Sequence, residues 1–382
     1  MRLLRSGLSA KDTEGRLRDL VEALFRSIPT GVGSHRKDFR LDAPGVERVL
    51  RDGAPWAVKN GFGDPDDLLH IEEGGRLEGA RPEFVSDRAK ERGRPQLGTL
   101  GSGNHFTEVQ RVAEIYDESA ARALGLEKEA ITVSIHTGSR GLGYQVCDDS
   151  LQVMLKAARR YGIDLPDPQL CCAPVRSEEG ARYIGAMYAA ANFAFANRQL
   201  ITHFVRQAFE EVFRRGPADL GLEVVYDVCH NIAKVETHRV AGKETRLCVH
   251  RKGATRAFPP GHPQTPEAYR EVGQPVLIPG DMGRYSYVLV GTERAYEESF
   301  GSTCHGAGRR MSRTAARKAA RGRSIVREME DRGILVRADG YATIAEEMPE
   351  AYKDVADVVD VVHGAGISRK VARLVPLAVI KG

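Results

Sequence analysis

Residues 275–290, PVLIPGDMGRYSYVLV, decide the fold class. Pro275–Ile278 and Tyr285–Val290 are short aliphatic and aromatic runs. The segment between them carries Pro279, Gly280 and Gly283, so the whole reads as strand, turn, strand. The same texture spreads outward from it. Phe106–Val109, Ile131–Ile135, Leu222–Val228 and Thr245–Val249 are expected strands, separated by Gly-rich loops. Helical patterns interrupt them. Leu17, Leu20, Val21, Leu24, Phe25 and Ile28 recur at offsets of three and four, giving one apolar face. Asp12 or Thr13 is the expected cap, and Pro29 and Gly31 the stop. A second, long helix rich in Ala, Phe and Arg is expected over about residues 178–214. From Pro29 to about Asp87 the chain is polar and Gly-rich. No repeat of 20–50 residues and no linker is evident. The expectation is an α+β fold: one catalytic domain spanning residues 1–382, a mixed β-sheet core with surrounding helices.

Composition sets the outer limits. With 42% apolar and 28% charged residues, the chain of 382 is globular rather than disordered or collagen-like. The formal charge of +4 is small, but it is segregated. Residues 301–330 hold eight Lys or Arg against two acids, and residues 346–360 hold six acids against Lys353. No run approaches the ~18 apolar residues of a membrane span. Met1–Ser6 has no apolar signal-peptide region, and the six cysteines have no framework spacing. A cytoplasmic protein with reduced thiols and no membrane partner is expected.

Four of the eleven histidines stand where a strand meets a small or polar turn: His105, His136, His230 and His305. Rigid strand ends of this kind offer side chains to a cleft. Imidazole is a metal ligand, a base or a nucleophile, so three of them suit a metal and the fourth the chemistry. A structural role is the competing reading of each alone. His305 lies in a small-residue loop, Ser302–Gly308, that runs into Arg309, Arg313, Arg317 and Arg321 at intervals of four. On one helix face these would form a phosphate-binding wall beside a reactive imidazole; a solvated basic helix is the plainer alternative. Arg140, Lys252 and Arg256 add loop cations suited to phosphate. His363, in a similar Gly-Ala-Gly setting, is read as structural.

Taken together, GNHFTEV (103–109), HTGSRGLG (136–143), HNIAKVE (230–236), HRKGATRAFP (250–259), PGDMGRYSYVLVG (279–291), STCHGAGRRMSR (302–313), AYKDV (351–355) and PLAVIKG (376–382) closely resemble the RtcB family. These are GTP-dependent RNA ligases of tRNA splicing and RNA repair. They join an RNA 3′-phosphate or 2′,3′-cyclic phosphate to a 5′-hydroxyl. The resemblance implies that His305 is the nucleophile that takes GMP from GTP. It implies that His105, His136 and His230 are ligands of a two-manganese site. Nucleotide contacts are implied for Asn104, His105, Phe106, Thr107, Glu108, His230 and Asn231. The turn contributes Asp281, Met282, Gly283, Arg284 and Ser286, and the His305 loop Gly306, Ala307 and Gly308. Tyr352 and Lys381 match positions around the guanine. Arg140, Arg309 and Arg313 are the implied RNA phosphate contacts, and an archease-like activator is an implied partner.

The sequence departs from the family at its front. Relatives carry an Asp-x-x-Cys-Gly segment immediately upstream of an Arg/Leu run like Arg2–Arg5. Its Asp binds one manganese and its Cys bridges both. Met1 stands where the residue just after that segment falls. Cys229 and Cys304 do not replace it, since strand neighbours point to opposite faces. An N-terminally truncated chain, weak in manganese binding and impaired in ligation, is therefore the expectation, with a misplaced start codon as the preferred explanation and a true truncation as the alternative. A non-catalytic RNA-binding homologue and a metal-dependent phosphohydrolase are the rival functions.

Overall fold

The structure, a computed structural model, describes residues 1–382. Its strands are β1 (Arg2–Ser9), β2 (Phe106–Ile115), β3 (Ala130–His136), β4 (Glu223–Asp227), β5 (Asn231–Val240), β6 (Lys243–Lys252), β7 (Ala254–Arg256), β8 (Pro275–Ile278), β9 (Ser286–Gly291), β10 (Ser302–Cys304), β11 (Leu335–Ala338) and β12 (Ser368–Lys381). An eight-stranded sheet runs β4-β1-β3-β2-β12-β9-β8, with β11 added to β12. Every pairing in it is antiparallel except β11 with β12, so the sheet is mixed as expected. The 275–290 segment is the antiparallel β8–β9 hairpin, Pro275 opposite Val290 and Ile278 opposite Tyr287.

The helices are α1 (Leu17–Ser27), α2 (Ala43–Asp52), α3 (Ala54–Lys59), α4 (Asp87–Gly93), α5 (Glu118–Ala123), α6 (Arg140–Arg160), α7 (Glu178–Phe213), α8 (Pro217–Leu220), α9 (Glu293–Ser299), α10 (Arg313–Ala319), α11 (Ile325–Glu330), α12 (Tyr341–Glu346) and α13 (Val355–Gly364). α7 runs 36 residues, about 54 Å at 1.5 Å per residue. Phe193, Leu200, Ile201, Val205 and Phe209 bury it against one face of the sheet. Strand alternation divides the core. Leu4 and Ile380 pack on the α7 side, and their neighbours Leu3 and Val379 on the other. Truncating Phe209, fully buried within this helix, to Ala is expected to cost about 3–5 kcal/mol, read as a lower urea midpoint.

Two local expectations are corrected. Neither Asp12 nor Thr13 caps α1; its N-cap is Arg16, while Asp12 bonds to Ser9 and closes a separate 3-10 turn. The polar, Gly-rich stretch 29–87, to which the sequence reading assigns no element, holds α2, α3 and the start of α4. The Arg309–Arg321 run is not one helix face. α10 begins only at Arg313, where the Ser312 hydroxyl accepts from the Ala315 N–H, and Arg309 lies outside it.

Candidate active site

Five strand ends converge on one cleft. β3 ends on His136, opposite Phe106 at the start of β2. Alternation along β2 sends Phe106 and Glu108 into the cleft and Thr107, fully buried, to the other face. β4 ends at Asp227, and three residues later His230 leads into β5. β10 ends at Cys304, and the His305 N–H donates to the Gly253 carbonyl at 3.1 Å. The β8–β9 turn brings Asp281, Met282 and Ser286 to the opposite wall.

A buried ion cluster fixes two of these ends. The Arg198 Nε, from α7, donates to both Asp227 oxygens at 2.8 and 3.0 Å, and its Nη1 donates to the Thr137 carbonyl at 3.0 Å. Arg2 Nε reaches the same carboxylate at 2.9 Å. One helix side chain therefore holds the chain just after His136 and just before His230.

The imidazoles cluster on the cleft floor. His136 and His230 place their Nε2 atoms 3.3 Å apart, and the His230 and His305 rings stack at 3.8 Å. His136, His230 and His305 each offer a ring nitrogen within 4.8 Å of the others. His105 stands apart, its ring 6.0 Å from that of His136. It lines a second groove on the far side of the imidazoles, together with Met1, Arg140 and Thr137. Burial pushes His305 and His105 down to about 3, and His136 and His230 well below their usual value. All four rings are neutral at pH 7, with lone pairs free to act. Neither nitrogen of His305, nor Nδ1 of His136 or His105, reaches a hydrogen-bond partner. Clustered, neutral imidazoles, His136 and His230 bonded only to each other through Nε2, fit a divalent transition-metal ion.

The acidic and basic groups alternate around this floor. Burial raises Glu108 to about 8 against the opposing pull of Gln110 and Lys381, and raises Asp281 to about 6. The Asp281 side chain is turned into its own turn: one oxygen accepts the Gly283 N–H at 3.0 Å, and Arg284 lies 3.4 Å from the other.

Most of the expected site residues meet here. Asn104, Phe106, Glu108, His136, His230, Asn231, Asp281, Met282, Ser286, His305, Gly306, Ala307, Gly308, Arg309, Arg313, Tyr352 and Lys381 all line the cleft. His105, Thr107, Gly283, Arg284 and Arg140 do not. Gly283 backs onto Pro349 and Met329 instead. Arg140 is held at positive φ by bonds to Thr99, Gly31 and Ser34, with no carboxylate beside it. His363 is exposed at the end of α13, outside the cleft. Sequence reasoning missed Glu347, which lines the cleft and is 1% exposed. The acidic run around it signals a solvated face and hides it.

Comparison with known proteins agrees with this arrangement. The family described as tRNA-splicing ligase RtcB matches residues 1–382. A tRNA-splicing ligase RtcB of Archaeoglobus fulgidus is 57% identical over 382 residues, covering 100% of this chain and 79% of that protein. The Thermococcus kodakarensis protein of the same name is 56% identical, again over 100% of this chain and 79% of its own. That of Pyrococcus abyssi is 57% identical, but this chain spans 42% of its length. On identity of this extent, and with the histidine-lined cleft in place, the chain belongs to the tRNA-splicing ligase RtcB family.

Proposed function

We propose that this protein is an RNA ligase that joins an RNA 3′-phosphate or 2′,3′-cyclic phosphate to a 5′-hydroxyl, with GTP and Mn²⁺ as cofactors. The observation that carries the reading is His305: a buried, neutral imidazole with both nitrogens unpartnered, on the floor of a cleft lined by glycines and cations. A neutral ring with a free lone pair can attack phosphorus. Nε2 or Nδ1 of His305 bonds to the α-phosphorus of GTP, and the bond to the leaving pyrophosphate breaks. The RNA 3′-phosphate then displaces His305 from that phosphorus, leaving an RNA-3′pp5′G end. The 5′-hydroxyl attacks the RNA phosphate and releases GMP. Manganese, held by His136 and His230 with His105, would disperse negative charge on the phosphates. Arg313, exposed at the cleft rim, and Arg140, a half-buried cation without a counter-ion, would hold RNA phosphates.

Labelling with [α-³²P]GTP tests it. Any acid-labile, alkali-stable label taken up with MnCl₂ present is expected on His305, so that His305→Ala loses it at least a hundredfold. A label that survives in His305→Ala sinks the reading.

One observation favours a second reading. The group of imidazoles able to hold a metal contains His305 rather than His105, which suits a metal-dependent phosphohydrolase in which His305 forms no covalent adduct. Metal binding separates the two. The ligase reading expects Mn²⁺ stoichiometry in His305→Ala to match the parent; the hydrolase reading expects it to fall.

The upstream Asp and Cys of relatives also have a place to act. Met1 lines the same groove as His105 and His230. A chain carrying Asp-x-x-Cys-Gly ahead of Met1 is expected to bind Mn²⁺ at least tenfold more tightly than residues 1–382, by isothermal titration. Equal affinity would remove that segment from the metal site.

A further inference from the structure

We propose that Glu347 is the positioning residue of the nucleotide end of the cleft: its single buried carboxylate ties together Arg309, Tyr352 and Lys381, three residues from separate chain segments. The proposal rests on the ligase reading and deepens it. Glu347 follows α12 and its Oε1 accepts from Arg309 Nη1 at 3.0 Å. Its Oε2 accepts from the Tyr352 hydroxyl and lies 3.6 Å from Lys381 Nζ. Tyr352 closes the triangle by accepting from Arg309 Nη1 at 2.9 Å.

The consequence for Arg309 is specific. Its Nε donates to the Met311 carbonyl at 3.0 Å and its Nη2 to the Glu346 carbonyl at 2.6 Å. With Nη1 committed to Glu347 and Tyr352, four of its five N–H groups face protein. The guanidinium instead lies over the Tyr352 ring, 4.8 Å from its centroid. Arg309 is thus part of a wall, not a free phosphate clamp. That wall is also the backing of the nucleophile's loop. The Arg310 N–H donates to the Ala351 carbonyl at 2.8 Å, and the Lys353 N–H to the Gly308 carbonyl at 3.0 Å.

Lys381 is the other arm. It is 5% exposed, and its ammonium sits over the Phe106 ring at 5.3 Å with Glu347 as its close carboxylate. Burial lowers Lys381, and Glu347 opposes that effect. Glu347 therefore delivers a cation and an aromatic plate, in fixed relation, to the place where a purine base would rest. The ion pair is buried enough to keep its geometry between turnovers.

The test is equilibrium binding of GTP and of ATP to the 382-residue protein, with and without Mn²⁺, beside the guanylylation rate at saturating GTP. Glu347→Gln keeps shape and removes charge. It is expected to weaken GTP at least tenfold and to narrow the GTP-over-ATP preference, while the saturated rate changes less than threefold. Tyr352→Phe is expected to weaken GTP about threefold, and Glu347→Gln/Tyr352→Phe to bind no worse than Glu347→Gln alone, because both act through one network. This pair keeps the question open to Tyr352→Phe should Glu347→Gln fail to fold. A parent that binds no GTP overturns the ligase reading, and this proposal with it. A parent that binds GTP, with variants that bind and discriminate equally well, overturns the role of Glu347 alone.

Discussion

Asp227→Ala is expected to destabilise the protein by about 3–5 kcal/mol, because it leaves two buried guanidinium groups facing each other without a carboxylate. Arg2 and Arg198 are 0% and 2% exposed, and Asp227 is 0% exposed. Burial alone would raise the Asp227 carboxyl, yet Arg198 and Arg2 hold it below the usual range. The loss is large against the ~5–15 kcal/mol that a typical domain holds in reserve. Urea unfolding by circular dichroism reads it. The double variant Asp227→Leu/Arg198→Met should recover part of it, since it removes both sides of one pair. The effect extends to the site. Arg198 also holds the Thr137 carbonyl, so on the ligase reading, at temperatures where Asp227→Ala stays folded, Mn²⁺ binding should weaken by more than tenfold. A midpoint that moves by less than ~1 kcal/mol equivalent would mean that water solvates these cations and the cluster fixes nothing.

The strands around the β8–β9 hairpin were legible because turn residues punctuate them and their faces are apolar. The longest strand, β12, was not. Pro376 stands in its interior and argues against a central strand. The structure accommodates it opposite Gln110, beside a register shift between Pro376 and Ala378. β1 was hidden for another reason: Arg2 reads as a surface charge, and only the fold reveals the buried Asp227 that pairs with it. The site divides the same way. His136, His230 and His305 were legible as polar side chains at strand ends. The separation of His105 from them depends on which face of β2 its loop approaches, and motif spacing does not carry that. Within the acidic run, Asp357 and Asp360 are exposed while Glu347 is buried. Charge count treats them alike; only Tyr352 nearby and Arg309 and Lys381, both distant in sequence, distinguish Glu347.

Glu108 gives the second large effect, and it is a pH dependence. The residue is 4% exposed in β2, and burial raises its carboxyl to about 8. In an unfolded chain the same group titrates near ~4.3. The native state therefore keeps a proton that the unfolded state releases between these values. Stability from this group is fully present below about pH 4, declines as pH rises, and is lost by about pH 8. At about 1.4 kcal/mol per unit the full span is on the order of 5 kcal/mol, an upper bound because the buried site can relax. Glu108→Gln removes the titration. It should match the parent near pH 4, exceed it in melting temperature at pH 9, and flatten the curve between. On the ligase reading the same proton reports on nucleotide binding. A base that presents N–H donors to Glu108 favours the carboxylate, so GTP binding at pH 7 should release about one proton. Calorimetry in buffers of different ionisation enthalpy measures that release, and Glu108→Gln should abolish it. Parallel stability curves for parent and variant would show instead that Glu108 is already ionised at pH 7, held so by Lys381.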